Sequence, residues 1–366
     1  MTEPFASDGS TSNYTLRVGK ALDAAFDRVK QTDAPDGDMK VLHLTTDRYI
    51  IFSDQHRGAR NGADDFQRAE RAYNAALAYY LRKGYTLVVL GDVEELWEEK
   101  PAAVIKAYQH TLELEAQFHQ RGRYIRIWGN HDDEWQYESS VYYHLGKVYG
   151  GSPLQVHEGI CLKVVDGAEE LGTLFLIHGH QGDVTSDQWS WLSRFVIRYI
   201  WRTFQRLTRI SLNTPANSWD LRKKHQQALY TWAEKQEKLI LVAGHTHHPV
   251  FKSRSHEAQL KEKLAELEST VADPPTTEQL EALSALLAQL EWVRAQGHQR
   301  PHSEQSLPMH KPCYFDTGCC CFLDGDITGI EIAHGKIRLV RWPNENRKPR
   351  LRILIEDSLR AVLMDC

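Results

Sequence analysis

Cysteine is scarce in this chain and builds no framework. Six are spread over 366 residues (Cys161, Cys313, Cys319, Cys320, Cys321 and Cys366), with no CxxC pair and no disulfide-type spacing. A reduced, cytoplasmic compartment is the simplest expectation. Positive charge is not in excess either. The net charge is −5, so no global basic field points to nucleic acid. No run of about 18 apolar residues exists to span a membrane. The opening MTEPFASDGSTSNY has neither a basic n-region nor an apolar core, so no secretory signal is expected. Residues 1–13 are polar and rich in Gly, Ser and Thr, which predicts disorder there. What remains is ordinary globular composition, 42% hydrophobic and 25% charged, with length enough for a sizeable core. Histidine is plentiful at 18.

Leu16, Leu22, Ala25, Phe26 and Val29 recur at helical spacing over 15–31. Apolar strands are predicted at 47–53, 85–90, 123–128, 155–165, 171–177 and 238–242. Helical sequence is predicted over about 64–83, 94–119, 133–147 and 185–236. This alternation argues for an α/β fold. Strands near 312–323, 327–333 and 336–342 follow one another as hairpins do. Two packed β-sheets flanked by helices are therefore expected, with 14–366 as one domain. Two helical insertions are expected in it, a cap over 185–236 and a hairpin over 255–300. In the hairpin, Leu260, Leu264, Leu267 and Val271 precede the break at Pro274-Pro275. Thr276 or Thr277 can cap the second helix, which carries Leu280, Leu283, Leu287, Leu290 and Val293. This hairpin would pack on its own domain or join two copies into a homodimer.

Five of the strands end alike. YIIFSDQH stops at Asp54 and His56, and LVVLGDVEE stops at Asp92, with Glu95 a turn later. YIRIWGNHDD stops at Asn130, His131 and Asp132. FLIHGHQGD stops at His178 and His180, and LVAGHTHHP at His245 and His247. Ligands bind at the carboxyl edge of α/β sheets, so these ends would converge. Asp, Asn and His without thiolate suit borderline divalent ions such as Mn²⁺, Fe²⁺, Zn²⁺ or Co²⁺. Asp54, His56, Asp92, Asn130, His178, His245 and His247 crowd a single ion. They give each of two ions four ligands if one carboxylate bridges.

In this order the five motifs resemble the calcineurin-type metallophosphoesterase superfamily, over about residues 47–250. The resemblance implies a β-sandwich with a two-metal site at one edge. It assigns Asp54, His56 and His247 to one ion, and Asn130, His178 and His245 to the other, with Asp92 bridging. His180 is the alternative to His178, which directly ends the apolar strand. Two cations about 3.5–4 Å apart would activate a bridging water as the nucleophile toward phosphorus. The resemblance makes His131 the acid at the leaving oxygen or a donor to phosphate. Glu95 would orient it, with Asp132 as the alternative partner. Arg57 is either a phosphate contact or a solvated arginine.

Residues 187–212 read as a basic amphipathic helix with Arg194, Arg198, Arg202, Arg206 and Arg209 in a stripe. It could touch phosphate or an anionic inner-membrane surface, or pack as an ordinary helix. IFSDQHRG, GDVEELWEE, GHTHHP and this insertion are similar to bacterial UDP-2,3-diacylglucosamine pyrophosphatases, which favour Mn²⁺. They typically carry Arg where this chain has His131. The expected substrate is a phosphorylated small molecule or a lipid-linked one. A metal-dependent phosphate-binding module is the non-enzymatic alternative. The Cys319-Cys320-Cys321 run reads as small apolar residues of a strand, or as soft-metal ligands.

Overall fold

The structure is a computed structural model that describes residues 9–31, 38–62, 64–183, 215–272, 275–296, 309–345 and 349–366. Its frame is two seven-stranded sheets. The strands in chain order are β1 Met39–His43, β2 Arg48–Phe52, β3 Thr86–Leu90, β4 Tyr124–Ile127, β5 Val156–His157, β6 Gly159–Asp166 and β7 Glu169–Ile177. They continue as β8 Leu239–Ala243, β9 Val250–Phe251, β10 Arg254–Ser255, β11 Tyr314–Asp316, β12 Ile327–Ala333, β13 Lys336–Trp342 and β14 Arg352–Ser358. One sheet has the order β1-β6-β7-β8-β11-β9-β10 and the other β14-β13-β12-β2-β3-β4-β5.

Both faces of each sheet are covered, which explains the continuous apolar runs. Successive side chains of a strand point to opposite faces. Leu174 and Leu176 of β7, with Ile240 and Val242 of β8, meet Ile51, Val88, Leu90 and Ile127 between the sheets. Their neighbours Phe175, Ile177, Leu241 and Ala243 face outward onto helices Gly9–Gln31 and Pro215–Ala233, through Val18, Leu22, Phe26, Leu229 and Trp232. On the far side, Phe52, Leu87 and Val89 pack against Tyr73, Ala76, Leu77 and Tyr80 of helix Glu70–Arg82 and Leu112 of helix Gln109–His119. Two packed sheets flanked by helices is thus the architecture that the strand–helix alternation implies.

Several element expectations change. The first helix starts at Gly9, inside the stretch expected to be disordered. The segment 94–119 holds two helices, Pro101–Ala107 and Gln109–His119, and leaves 91–100 as a loop at the site. Asp133–Gln136 is a 3₁₀ turn, followed by the short helix Glu138–His144. The cysteine run follows β11 as a loop rather than lying in a strand, because β11 ends at Asp316. Of the expected cap, Pro215–Ala233 is helical. Residues 187–212, with Arg194 and Arg198, lie outside the described residues.

The hairpin insertion forms from helices His256–Thr270 and Thr277–Gln296. Thr276 caps the second. Its hydroxyl accepts from Gln279 N at 3.2 Å, while Gln279 Oε1 accepts from Thr276 N at 3.0 Å, a reciprocal capping box. Leu260, Leu290 and Val293 make a small core of their own. At the base, Trp292 donates to Asp324 at 2.8 Å, packs on Phe322 and lies under the Arg341 guanidinium.

Candidate metal centre

The carboxyl ends of β2, β3 and β4 lie side by side in one sheet, and those of β7 and β8 in the other. The site forms where these two edges meet. The loops leaving the strands bond to each other by backbone. Asp54 N donates to Gly91 O, Gln55 N and His56 N to Asp92 O, and Gly244 N to His178 O. These bonds hold a strained backbone. Asp54, His56, Asp92, His245 and His247 all have positive φ, from 49° to 67°. Such residues cost on the order of 1–3 kcal/mol each and cluster at functional sites. Two glycines make room. A Cβ at Gly129 would strike the Asp92 carboxylate, and one at Gly244 would strike Asp54 and Ser53.

Six of the seven side chains expected as ligands come together, and Asn130 is buried in the loop that follows β4. The donor atoms of Asp54, His56 and His247 lie within 4.8 Å of one another, as do those of Asp92, His178 and His245. His56 Nε2 joins the sets, 3.8 Å from Asp92 Oδ2 and 4.0 Å from Asp54 Oδ1. His247 Nε2 is 3.2 Å from both Asp54 Oδ1 and His56 Nε2, and His178 Nε2 is 3.1 Å from Asp92 Oδ2. His180 is buried beside Trp128, its ring 5.4 Å from that of His178, and falls in neither set.

The outer bonds fix which atoms face inward. His178 Nδ1 donates to Leu90 O at 2.8 Å, leaving the Nε2 lone pair toward Asp92. His56 Nδ1 donates to Glu95 Oε2 at 2.9 Å, leaving its Nε2 toward His247. Such partners orient metal-binding imidazoles. Asn130 Oδ1 and His178 Nε2 are buried without a hydrogen-bond partner. Unprotonated, these ring nitrogens would face carboxylate oxygens, a packing that a cation, proton or metal ion, satisfies. The charge balance agrees. Burial alone would push Asp54 up and His56, His178 and His247 down. Their mutual attraction outweighs it, holding Asp54 at about 2 and the three histidines at about 10, 9 and 9. The surroundings favour positive charge here.

His131 sits at the rim. Its side chain is a quarter exposed, its Nδ1 donates to both Glu95 oxygens at 2.8 Å, and its ring stacks on Trp97 at 4.0 Å. Burial would raise Glu95, but His131 and His56 hold it down at about 2, an ionised acceptor for both rings.

Two expected site residues lie elsewhere. Asp132 is fully buried and accepts from the backbone N–H groups of Gly129, Val93 and Asp92 at 2.6, 3.0 and 3.3 Å. It staples the β3 and β4 loops, and Glu95 is the partner of His131. Arg57 is also fully buried. It follows the left-handed His56, turns into the core, bonds Glu115 and faces Glu94, which in turn holds Arg126. It is neither a phosphate contact nor a solvated arginine.

Other neighbours carry no strand-end signature. Ser53 bonds Asp54, and Asp183 lies 3.1 Å from His245 Nε2. His225 donates through Nε2 to Gly179 O, accepts from Tyr14, and packs its ring 5.2 Å from that of His245.

Fold and donor set together define a metal-dependent hydrolase of phosphate esters. Residues 48–249 match the calcineurin-like phosphoesterase model, and the chain belongs to that family. Among solved structures it is similar to vacuolar protein sorting 29 from Cryptosporidium parvum, at 12% identity, TM-score 0.33, covering 86% of this chain and 99% of that one. It is also similar to a mutant cold-active protein tyrosine phosphatase, at 10% identity, TM-score 0.34, covering 90% and 84%. No curated protein matches it. No helix among the described residues is long and apolar enough to cross a membrane.

Proposed function

We propose that the chain is a two-metal phosphoesterase that hydrolyses a phosphomonoester, phosphodiester or pyrophosphate by direct attack of water. One observation carries this reading: two separate carboxylate–imidazole triads, Asp54/His56/His247 and Asp92/His178/His245, adjoin through His56 and Asp92. Asn130 completes the second set with its unpartnered Oδ1. The donors suit Mn²⁺, and Fe²⁺, Zn²⁺ or Co²⁺ in its place. When bound, the ions supply Lewis acidity and an activated water at neutral pH. Glu95 holds His56 and His131 in fixed orientation from one carboxylate. With Nδ1–H committed to Glu95, His131 in its doubly protonated form presents Nε2–H to the leaving oxygen as general acid.

The test is elemental analysis of metal-replete protein beside turnover of a chromogenic phosphate ester with Mn²⁺. Two ions per chain with turnover support the reading, and one ion or fewer overturns it. Two ions without turnover on any mono-, di- or pyrophosphate indicate a binding module instead. A lipid-linked pyrophosphate substrate would show as liposome-dependent turnover lost on changing Arg198 and Arg202.

A further inference from the structure

His247 has two ring nitrogens with different surroundings. Nε2 faces Asp54 and His56. Nδ1 faces the other way, toward the loop after β11, where Cys321 Sγ lies at 3.7 Å. The donor atoms of His247, Cys319 and Cys321 all fall within 4.8 Å of one another. Cys319 is buried and Cys321 half-buried, and both are free thiols. The residue between them is turned aside, with Cys320 Sγ directed at Thr328 O. Cys319 and Cys321 thus reach the same side of the loop, and Cys320 the other. This loop is anchored where it passes the site: Thr317 N donates to Ala243 O and Cys320 N to Asp54 O.

We propose that Cys319, Cys321 and His247 Nδ1 form a third site, selective for a thiophilic divalent ion such as Zn²⁺, whose filling withdraws His247 from the Asp54–His56 set. The inference rests on the role given to His247 above. Thiolates select zinc and its softer relatives, whereas the carboxylate–imidazole sets also accept Mn²⁺. Three protein ligands suffice for zinc, with water in the fourth position. The linkage follows from the imidazole. A neutral ring has one lone pair, so a ring that binds through Nδ1 carries its proton on Nε2. Nε2 then offers a proton to Asp54 and His56 instead of a lone pair to an ion. Zinc in this site and a second ion held by His247 are mutually exclusive, and excess zinc inhibits.

Co²⁺ tests the site in the full chain, because thiolate ligation adds an intense near-ultraviolet charge-transfer band that oxygen and nitrogen ligands lack. The band is expected in the wild type and absent in the Cys319→Ser/Cys321→Ser variant. The Zn²⁺ concentration that halves Mn²⁺-supported turnover should rise at least ~10-fold in the variant. If the double variant does not fold, Cys321→Ser alone carries the comparison. Bound Co²⁺ without a thiolate band in the wild type overturns the proposal and leaves the two-metal reading standing. Unchanged zinc inhibition in the variant overturns it as well. A thiolate band from a single bound ion, with no others taken up, supports the thiol site and sinks the two-metal reading.

Discussion

His131 shows how much one side chain's surroundings define its task. Its Nδ1 is committed to Glu95, its face to Trp97, and its remaining edge to the open rim. In the proposed role of general acid it would contribute about 10²–10⁴-fold. His131→Ala should lower kcat by that order while elemental analysis finds the metal content unchanged. Loss of metal in the variant would instead make His131 a ligand, a role allowed by its nearness to His56 and Asp92. Arg57 makes the opposite case. It is adjacent to His56 in sequence yet belongs to a buried ion network with Glu94, Glu115 and Arg126. Removing one partner of such a network leaves a bare charge in the core and costs about 3–5 kcal/mol. Urea unfolding of Arg57→Met should show a loss of that size, and Arg57→Met combined with Glu115→Leu should recover part of it.

At the scale of elements, the centre depends on five strand ends whose loops are held by each other. The glycines there set the clearance. Gly129→Ala drives a methyl group into the Asp92 carboxylate, which both triads approach. The sheets do not depend on that position, so the expected outcome is a folded protein by circular dichroism that binds fewer than two ions. Retention of both ions would show that the loop yields at little cost. The strand ends were legible in the sequence because each polar cluster follows an apolar run directly, so that one strand period separates core from ligand. The cysteine run was legible only as two alternatives, small apolar residues or soft-metal ligands, with no partner indicated. Its Cys-x-Cys faces His247 only because β11 lies beside β8 and brings a distant loop across the same edge.

The whole molecule responds to protons and to metal through its buried charge. Burial would raise Glu115, but the Arg57 and Arg126 guanidiniums, with bonds from Arg57 and Tyr73, hold it below its usual 4.5. A lowered carboxylate contributes stability above its unfolded value and loses it as pH falls through the folded one. Thermal midpoints should therefore drop as pH falls below about 4.5, and less steeply in Glu115→Gln. An identical acid limb in the variant would place the acid sensitivity elsewhere. Metal acts by mass action. At free ion a hundredfold above Kd, binding adds about 2.7 kcal/mol of stability per site. Chelation should lower the melting midpoint measurably, and restored Mn²⁺ should return it.

Local pattern in the sequence determined the strand–helix alternation, the five polar strand ends and the capped helical hairpin, because periodicity, glycine placement and capping chemistry act over a few residues. Only the tertiary structure decided that Arg57 and Asp132 serve the core and the loops, that Glu95 rather than Asp132 orients His131, and that His178 rather than His180 faces Asp92. Those outcomes depend on left-handed backbone turns and on contacts between segments 36 and 191 residues apart, His131 with Glu95 and His245 with Asp54. The sequence ranked Glu95 and His178 first among alternatives, and it carried no sign that Arg57 turns into the core.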